Sequence, residues 1–136
     1  MKKIMGSLIP GITCFLFACS HTPSLEDAKK EDAERLQNVY IEITAMAAPV
    51  SCTKASDWKW MPIGAKACGG PTGYLPYHIS VDEDYLKHRV NAYTDLQKAF
   101  NKKWGAISDC SIPFAPSGIQ CENNKPVFTY SAPPGI

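Results

Sequence analysis

The chain has 136 residues, 45% of them hydrophobic, 10% aromatic and 20% charged, and its fourteen basic and thirteen acidic residues give a net charge of +1. That length holds one compact domain and excludes two, and the apolar content excludes disorder throughout. No basic patch dominates, so a nucleic-acid binder held by phosphate contacts is excluded as well.

The chain opens with Met1-Lys2-Lys3 and an apolar run over residues 4–17, the charged start and hydrophobic core of a secretory signal. The run is too short to span a bilayer, which needs roughly 20 apolar residues, and Pro10 interrupts it. Leu16-Phe17-Ala18-Cys19 follows at once, with Leu16 unsuited to an ordinary cleavage site, which wants a small residue there. This stretch resembles the lipobox of bacterial lipoproteins, although Phe17 is larger than the residue usually found in its place. The resemblance covers about 20 residues. It implies that residues 1–18 are removed, that Cys19 becomes the lipid-bearing first residue, and that the lipid holds the protein on a membrane. Ser20, where an inner-membrane lipoprotein would have Asp, implies the outer membrane of the cell envelope.

Residues 24–47 show the helical spacing of apolar side chains, with Ser24 and Asp27 forming a capping box. Residues 19–35 read as lipid anchor, charged tether and helix start, and residues 36–130 as the single folded domain. Residues 50–79 lack helical periodicity, broken by Pro62, Pro71 and Pro76 and by Gly64, Gly69, Gly70 and Gly73. Short strands are expected at 50–53, 58–62 and 74–79, with Pro76 confining the last to a sheet edge or a bulge. Ser80-Val81-Asp82-Glu83 reads as a second capping box. It opens a long amphipathic helix whose stripe is Leu86, Val90, Tyr93, Leu96, Phe100 and Trp104 and whose stop is Gly105. A hairpin is expected from strands at 118–121 and 127–130 around Asn123 and Asn124, and then a loose tail over 131–136. The fold class is therefore α+β: a small disulfide-stapled domain with one long amphipathic helix, an N-terminal helix and a small irregular antiparallel sheet.

Six cysteines stand at 14, 19, 52, 68, 110 and 121. With Cys14 in the signal and Cys19 assigned to lipid, Cys52, Cys68, Cys110 and Cys121 remain, an even number in an exported chain, which points to two disulfides. Four cysteines allow three connectivities. Short loop closure favours Cys52–Cys68 and Cys110–Cys121. A zinc site would need close pairs such as C-x-x-C, which the sequence lacks.

Four aromatics offer the best functional lead: Trp58 and Trp60, which share a face if extended, and Tyr74 and Tyr77 nearby. Exposed, they would form a platform for an envelope protein or a glycan; buried, they would fill the core. Cys68-Gly69-Gly70-Pro71-Thr72-Gly73-Tyr74 could make an anion nest, or a tight turn beside a disulfide. With Ser108-Asp109-Cys110 it is similar to small exported bacterial proteins of no assigned activity. His78, Asp82, Asp84 and His88 are the nearest approach to a metal set, and Cys68 with His78 to a thiol centre. Neither has a recognised ligand or catalytic spacing, and no motif asks for a cofactor. The expectation is a lipid-anchored, non-catalytic binding module. An inhibitor or immunity protein against an exported hydrolase is the first alternative, and a small envelope enzyme with a Cys/His or metal centre the second.

Overall fold

A computed structural model describes residues 24–131. The expected signal segment, the expected lipid-bearing Cys19 and residues 132–136 lie outside the described residues. Helix α1 (Leu25–Ala47) opens on the expected capping box, in which the Ser24 hydroxyl accepts from the Asp27 amide and the Asp27 carboxylate accepts from the Ser24 amide, both at 3.1 Å. Its buried stripe is Leu36, Ile43 and Ala47. Helix α2 (Glu83–Trp104) buries Leu86, Val90 and Tyr93 and ends on Gly105 at φ +59, the left-handed cap that glycine adopts without a Cβ penalty. Its N-cap is Asp82, whose carboxylate accepts from the Tyr85 amide at 3.0 Å. Ser80, expected to cap, instead joins the turn ahead of the helix, bonding His78 Nδ1 at 2.7 Å.

The helices run antiparallel, with Asp32 beside Lys103 and Glu42 beside Arg89. Tyr40 and Tyr93 meet between them, ring centroids 5.7 Å apart. Over this pair lies an antiparallel ribbon of β1 (Trp58–Ile63) and β2 (Gly73–His78), preceded by a single 3-10 turn at Ala55–Asp57. Side chains alternate across it. Ile63, Leu75 and Tyr77 face the helices and complete the core with Leu36, Ile43, Leu86 and Val90. Trp58, Trp60, Pro62, Tyr74, Pro76 and His78 belong to the opposite face.

The Ile79 amide donates to the Asp57 carbonyl just beyond the open end of the ribbon. The hydrogen-bonded pairs are thus 57/79, 59/77 and 61/75, which leaves Trp60↔Pro76 and Pro62↔Tyr74 in the alternate class. In that class the amide nitrogens point away from the partner strand. Each strand therefore carries a proline whose missing N–H is the outward one, and neither edge presents a full ladder to a third strand. Residues 50–53, expected as a strand, form none. They are tied to the second hairpin at Cys52, through its disulfide to Cys121 and the hydrogen bond from its amide to the Asn124 carbonyl at 2.9 Å.

The second hairpin, β3 (Gly118–Glu122) and β4 (Lys125–Thr129), turns through Asn123 and Asn124 at φ +50 and +62. Two consecutive left-handed residues make the mirror-image turn that matches strand twist, and asparagine tolerates it best after glycine. The sheet structure is thus two separate two-stranded ribbons. The disulfides also differ from the expected pairing: they are Cys52–Cys121 and Cys68–Cys110, with sequence separations of 69 and 42. Loop length decides neither bond. Cys52 meets Cys121 because the second hairpin settles beside the 3-10 turn, and Cys68 meets Cys110 because the segment leaving α2 returns past the tip of the first ribbon.

Candidate functional site

The four aromatics do not form one surface. Tyr77 is 4% exposed and sits in the core, on the ribbon face opposite Tyr74, because three positions along a strand reverse the side chain. Trp58 is 6% exposed and stacks edge-on against His78 at 5.4 Å. Only Trp60 and Tyr74 remain half-exposed, in edge-to-face contact with centroids 5.1 Å apart and planes at 83°. The Tyr77 phenol is pushed above its ordinary pKa by burial and by the neighbouring Glu83 carboxylate. Glu83 in turn lies below its ordinary range, held there by the hydrogen bond from Lys59 Nζ at 3.0 Å and by Tyr77. Trp60 and Tyr77 border one open cleft of about 250 Å³, which Glu83, Lys87 and Asn91 also line.

The titratable sets also separate. Cys68 is bonded to Cys110 at the ribbon tip, whereas His78 lies at the far end of β2. His78 bonds Ser80, His88 is exposed, and among the described residues no three potential metal ligands converge. The glycine stretch is a turn beside a disulfide, in which the Gly69 amide donates to the Lys66 carbonyl and the Lys66 amide to the Gly70 carbonyl.

The exposed apolar surface lies elsewhere, on the segment 106–117 between α2 and β3. Ile107 is 98% exposed, Ile112 75% and Phe114 84%. Nothing in the sequence reading singled these out. The other large exposed hydrophobics are scattered along helices, turns and strands, while these three fall within one stretch without regular structure.

This stretch is nonetheless fastened along its length. The Ala106 amide donates to the Asn101 carbonyl at 3.0 Å, and the Ser117 amide to the Thr129 carbonyl at 2.8 Å. Between these ends, Cys110 is bonded to Cys68, and the Tyr74 hydroxyl donates to the Pro113 carbonyl at 3.4 Å. Lys66 is the hub. Its side chain is only 17% exposed, and its ammonium donates to Asp109 Oδ1 at 2.8 Å, to Ser111 Oγ at 3.1 Å and to the Ser111 carbonyl. The Lys66 ammonium, helped by the Ser111 hydroxyl and amide, lowers the Asp109 carboxyl to about 2.

Lys66 is itself placed by α2. Thr94 Oγ1 accepts from the Gly64 amide at 3.2 Å, Gln97 Oε1 from the Ala65 amide at 2.8 Å, and Asn101 Nδ2 donates to the Ala65 carbonyl at 2.8 Å. These three residues, three and four apart, form a polar stripe on α2 that reads the backbone of the ribbon tip. Gly64 makes the close approach: its φ is +80, and a Cβ there would stand 2.0 Å from Thr72 Oγ1.

The result is a preorganised loop that presents isoleucine and phenylalanine to solvent and is fastened to Tyr74, whose ring meets Trp60. Exposed apolar side chains of this kind are the sort of surface a partner covers. No protein-family model matches the chain, and neither a curated protein nor a solved structure is significantly similar to it.

Proposed function

We propose that this is a lipid-anchored envelope protein that works by binding another protein, without catalysis, through the loop 106–117. The observation behind this reading is the exposure of Ile107, Ile112 and Phe114 on a segment tied down by a disulfide, a lysine hub and a tyrosine. Exposed apolar side chains on a fixed backbone lower the ordering cost of association. Three side chains fall short of the roughly 800 Å² that a stable interface buries on each partner, so Trp60 and Tyr74 beside the loop belong to the same contact. A glycan is less well served. The two rings stand edge to face rather than forming a flat platform, and Ile112 and Phe114 offer nothing to sugar hydroxyls. The lipid anchor rests on the lipobox resemblance at Leu16-Phe17-Ala18-Cys19.

A second reading, an inhibitor of an exported hydrolase, is favoured by the form of the loop: a clamped stretch without regular secondary structure is what enters a cleft.

Two measurements test the proposal. Labelling with a palmitate analogue should mark the wild-type protein and fail on Cys19→Ser; equal labelling would remove the anchor. Affinity capture from solubilised envelope with the oxidised domain should retain one protein that Ile112→Ser/Phe114→Ser releases. Retention unchanged by that pair of substitutions would remove the loop as the contact.

A further inference from the structure

We infer that Cys68–Cys110 is a thiol-exchange site, opened by an exported dithiol protein of the thioredoxin class, and that it latches the loop 106–117 while Cys52–Cys121 keeps the domain together. The two bonds stand in contrasting surroundings. Cys68 and Cys110 are both exposed at the ribbon tip, whereas Cys52 is 2% exposed and Cys121 is half-buried in the second hairpin. Exchange requires a thiolate to reach a disulfide sulfur, so access separates the two bonds.

The backbone supplies a second reason. Cys110 sits at φ +58, a left-handed conformation that residues other than glycine and asparagine seldom adopt. A return to an ordinary φ there would shift the loop backbone, and the disulfide is the covalent bond that opposes the shift, beside the hydrogen bonds from Cys110 to Ser108. The core of Leu36, Ile43, Leu75, Leu86 and Val90 includes neither cysteine nor any residue of the loop. Release therefore leaves the core intact. What remains on the middle of the loop is the exposed Asp109 pairing with Lys66, the Ser111 contacts and the long Tyr74–Pro113 bond.

The step balances as an ordinary exchange. A thiolate of the donor attacks the sulfur of Cys68 or Cys110, forming a mixed disulfide, and the other cysteine leaves as a thiolate that takes up a proton. The donor's second thiol then attacks the mixed disulfide and frees the first cysteine. Two electrons pass to this protein, which gains two thiols, and the donor becomes a disulfide. The latch itself stands apart from the proposed function. Its consequence, that reduction withdraws a preorganised binding loop, rests on that reading.

The test uses the oxidised protein, with dithiothreitol and then a purified thioredoxin-type protein as reductants, quenched by alkylation and mapped by mass. Cys68 and Cys110 should become alkylated about tenfold faster than Cys52 and Cys121 or more, with tryptophan emission unchanged. Chymotryptic cleavage after Phe114 should then rise about tenfold, and Cys68→Ser/Cys110→Ser should reproduce that rise without reductant. Equal alkylation rates, earlier opening of Cys52–Cys121, or cleavage insensitive to reduction would overturn the latch. If the latch opens as expected while Ile112→Ser/Phe114→Ser leaves capture unchanged, the proposed binding surface fails and the latch stands.

Discussion

The Asp32 carboxylate accepts a hydrogen bond from the Trp104 indole Nε1 at 2.9 Å and another from Lys103 Nζ at 2.6 Å. Lys103 also stands over the Trp104 ring, 4.7 Å from its centroid. One carboxylate thus ties the charged first half of α1 to the last turn of α2, within a stretch whose composition suggested a solvated spacer. Asp32→Leu removes both hydrogen bonds while raising helix propensity, so any loosening of α1 comes from the lost tie. Amide exchange over residues 25–35 should quicken in that variant, while the amides of Leu86 and Val90 keep their protection. Unchanged exchange would mean that α1 is held from Leu36 onward alone.

Leu86 is fully buried beneath the ribbon. Leu86→Ala should lower the unfolding free energy by about 2–5 kcal/mol, the range for truncating a buried leucine. Ile112→Ala, at an exposed site, should stay within about 0.5 kcal/mol of wild type. Denaturant melts of the two variants measure the contrast, and similar losses would mean that Ile112 is packed in solution.

Gly64 and Gly69 separate two costs of a side chain at positive φ. Gly69, at φ +98, has open space around it, so Gly69→Ala should cost about 1 kcal/mol for the backbone alone. Gly64→Ala adds collision with Thr72 and Gln97, and should cost about 2–3 kcal/mol or more. It should also loosen Lys66, which follows two residues later, and so speed proteolysis of the loop 106–117. Thermal melts together with cleavage after Phe114 decide the matter; equal costs at the two sites would contradict the close approach.

Acid should weaken the fold through exposed and half-buried carboxylates that are held below their ordinary range. Asp27 is lowered by Ser24, Asp32 by Lys103 and then Trp104, Glu83 by Lys59 and then Tyr77, and Asp109 to about 2 by Lys66 and then Ser111. A carboxyl with a depressed folded pKa contributes stability above its unfolded pKa and loses it as pH falls through the folded value. Stability should therefore hold from pH 7 to about 5 and decline between about 4 and 2. Asp109→Asn should flatten the lowest part of that decline. A carboxyl titration of Asp109 near 4, followed by NMR, would contradict the lysine hub.

Local signals were legible in the sequence. The Ser24–Asp27 box, the α2 stripe with its Gly105 stop and the paired asparagines each act within a few residues, and the structure follows them. Disulfide pairing is set by which segments meet after folding, so spacing could not show that Cys52 reaches Cys121 across 69 residues. Strand alternation, applied to Tyr74 and Tyr77, would have separated them: an odd offset puts them on opposite faces. Ile107, Ile112 and Phe114 carry no periodicity, and their exposure follows from Lys66, Tyr74 and Cys68, all distant in sequence. The one available cue was large apolar residues in an irregular stretch around a cysteine and Pro113.

The Cys52–Cys121 bond also sets how the molecule bears tension. Force applied along the chain, entering through α1 and leaving through β4, reaches Cys52 and crosses to Cys121 through the sulfur bridge. Residues 53–120, which include β1, β2, all of α2 and the exposed loop, are bypassed and bear none of that load. α1 and the stretch after Cys121, β4 included, lie in series with the pull, so stretching peels α1 from α2 and β4 from β3 and leaves residues 53–120 closed as a covalent ring.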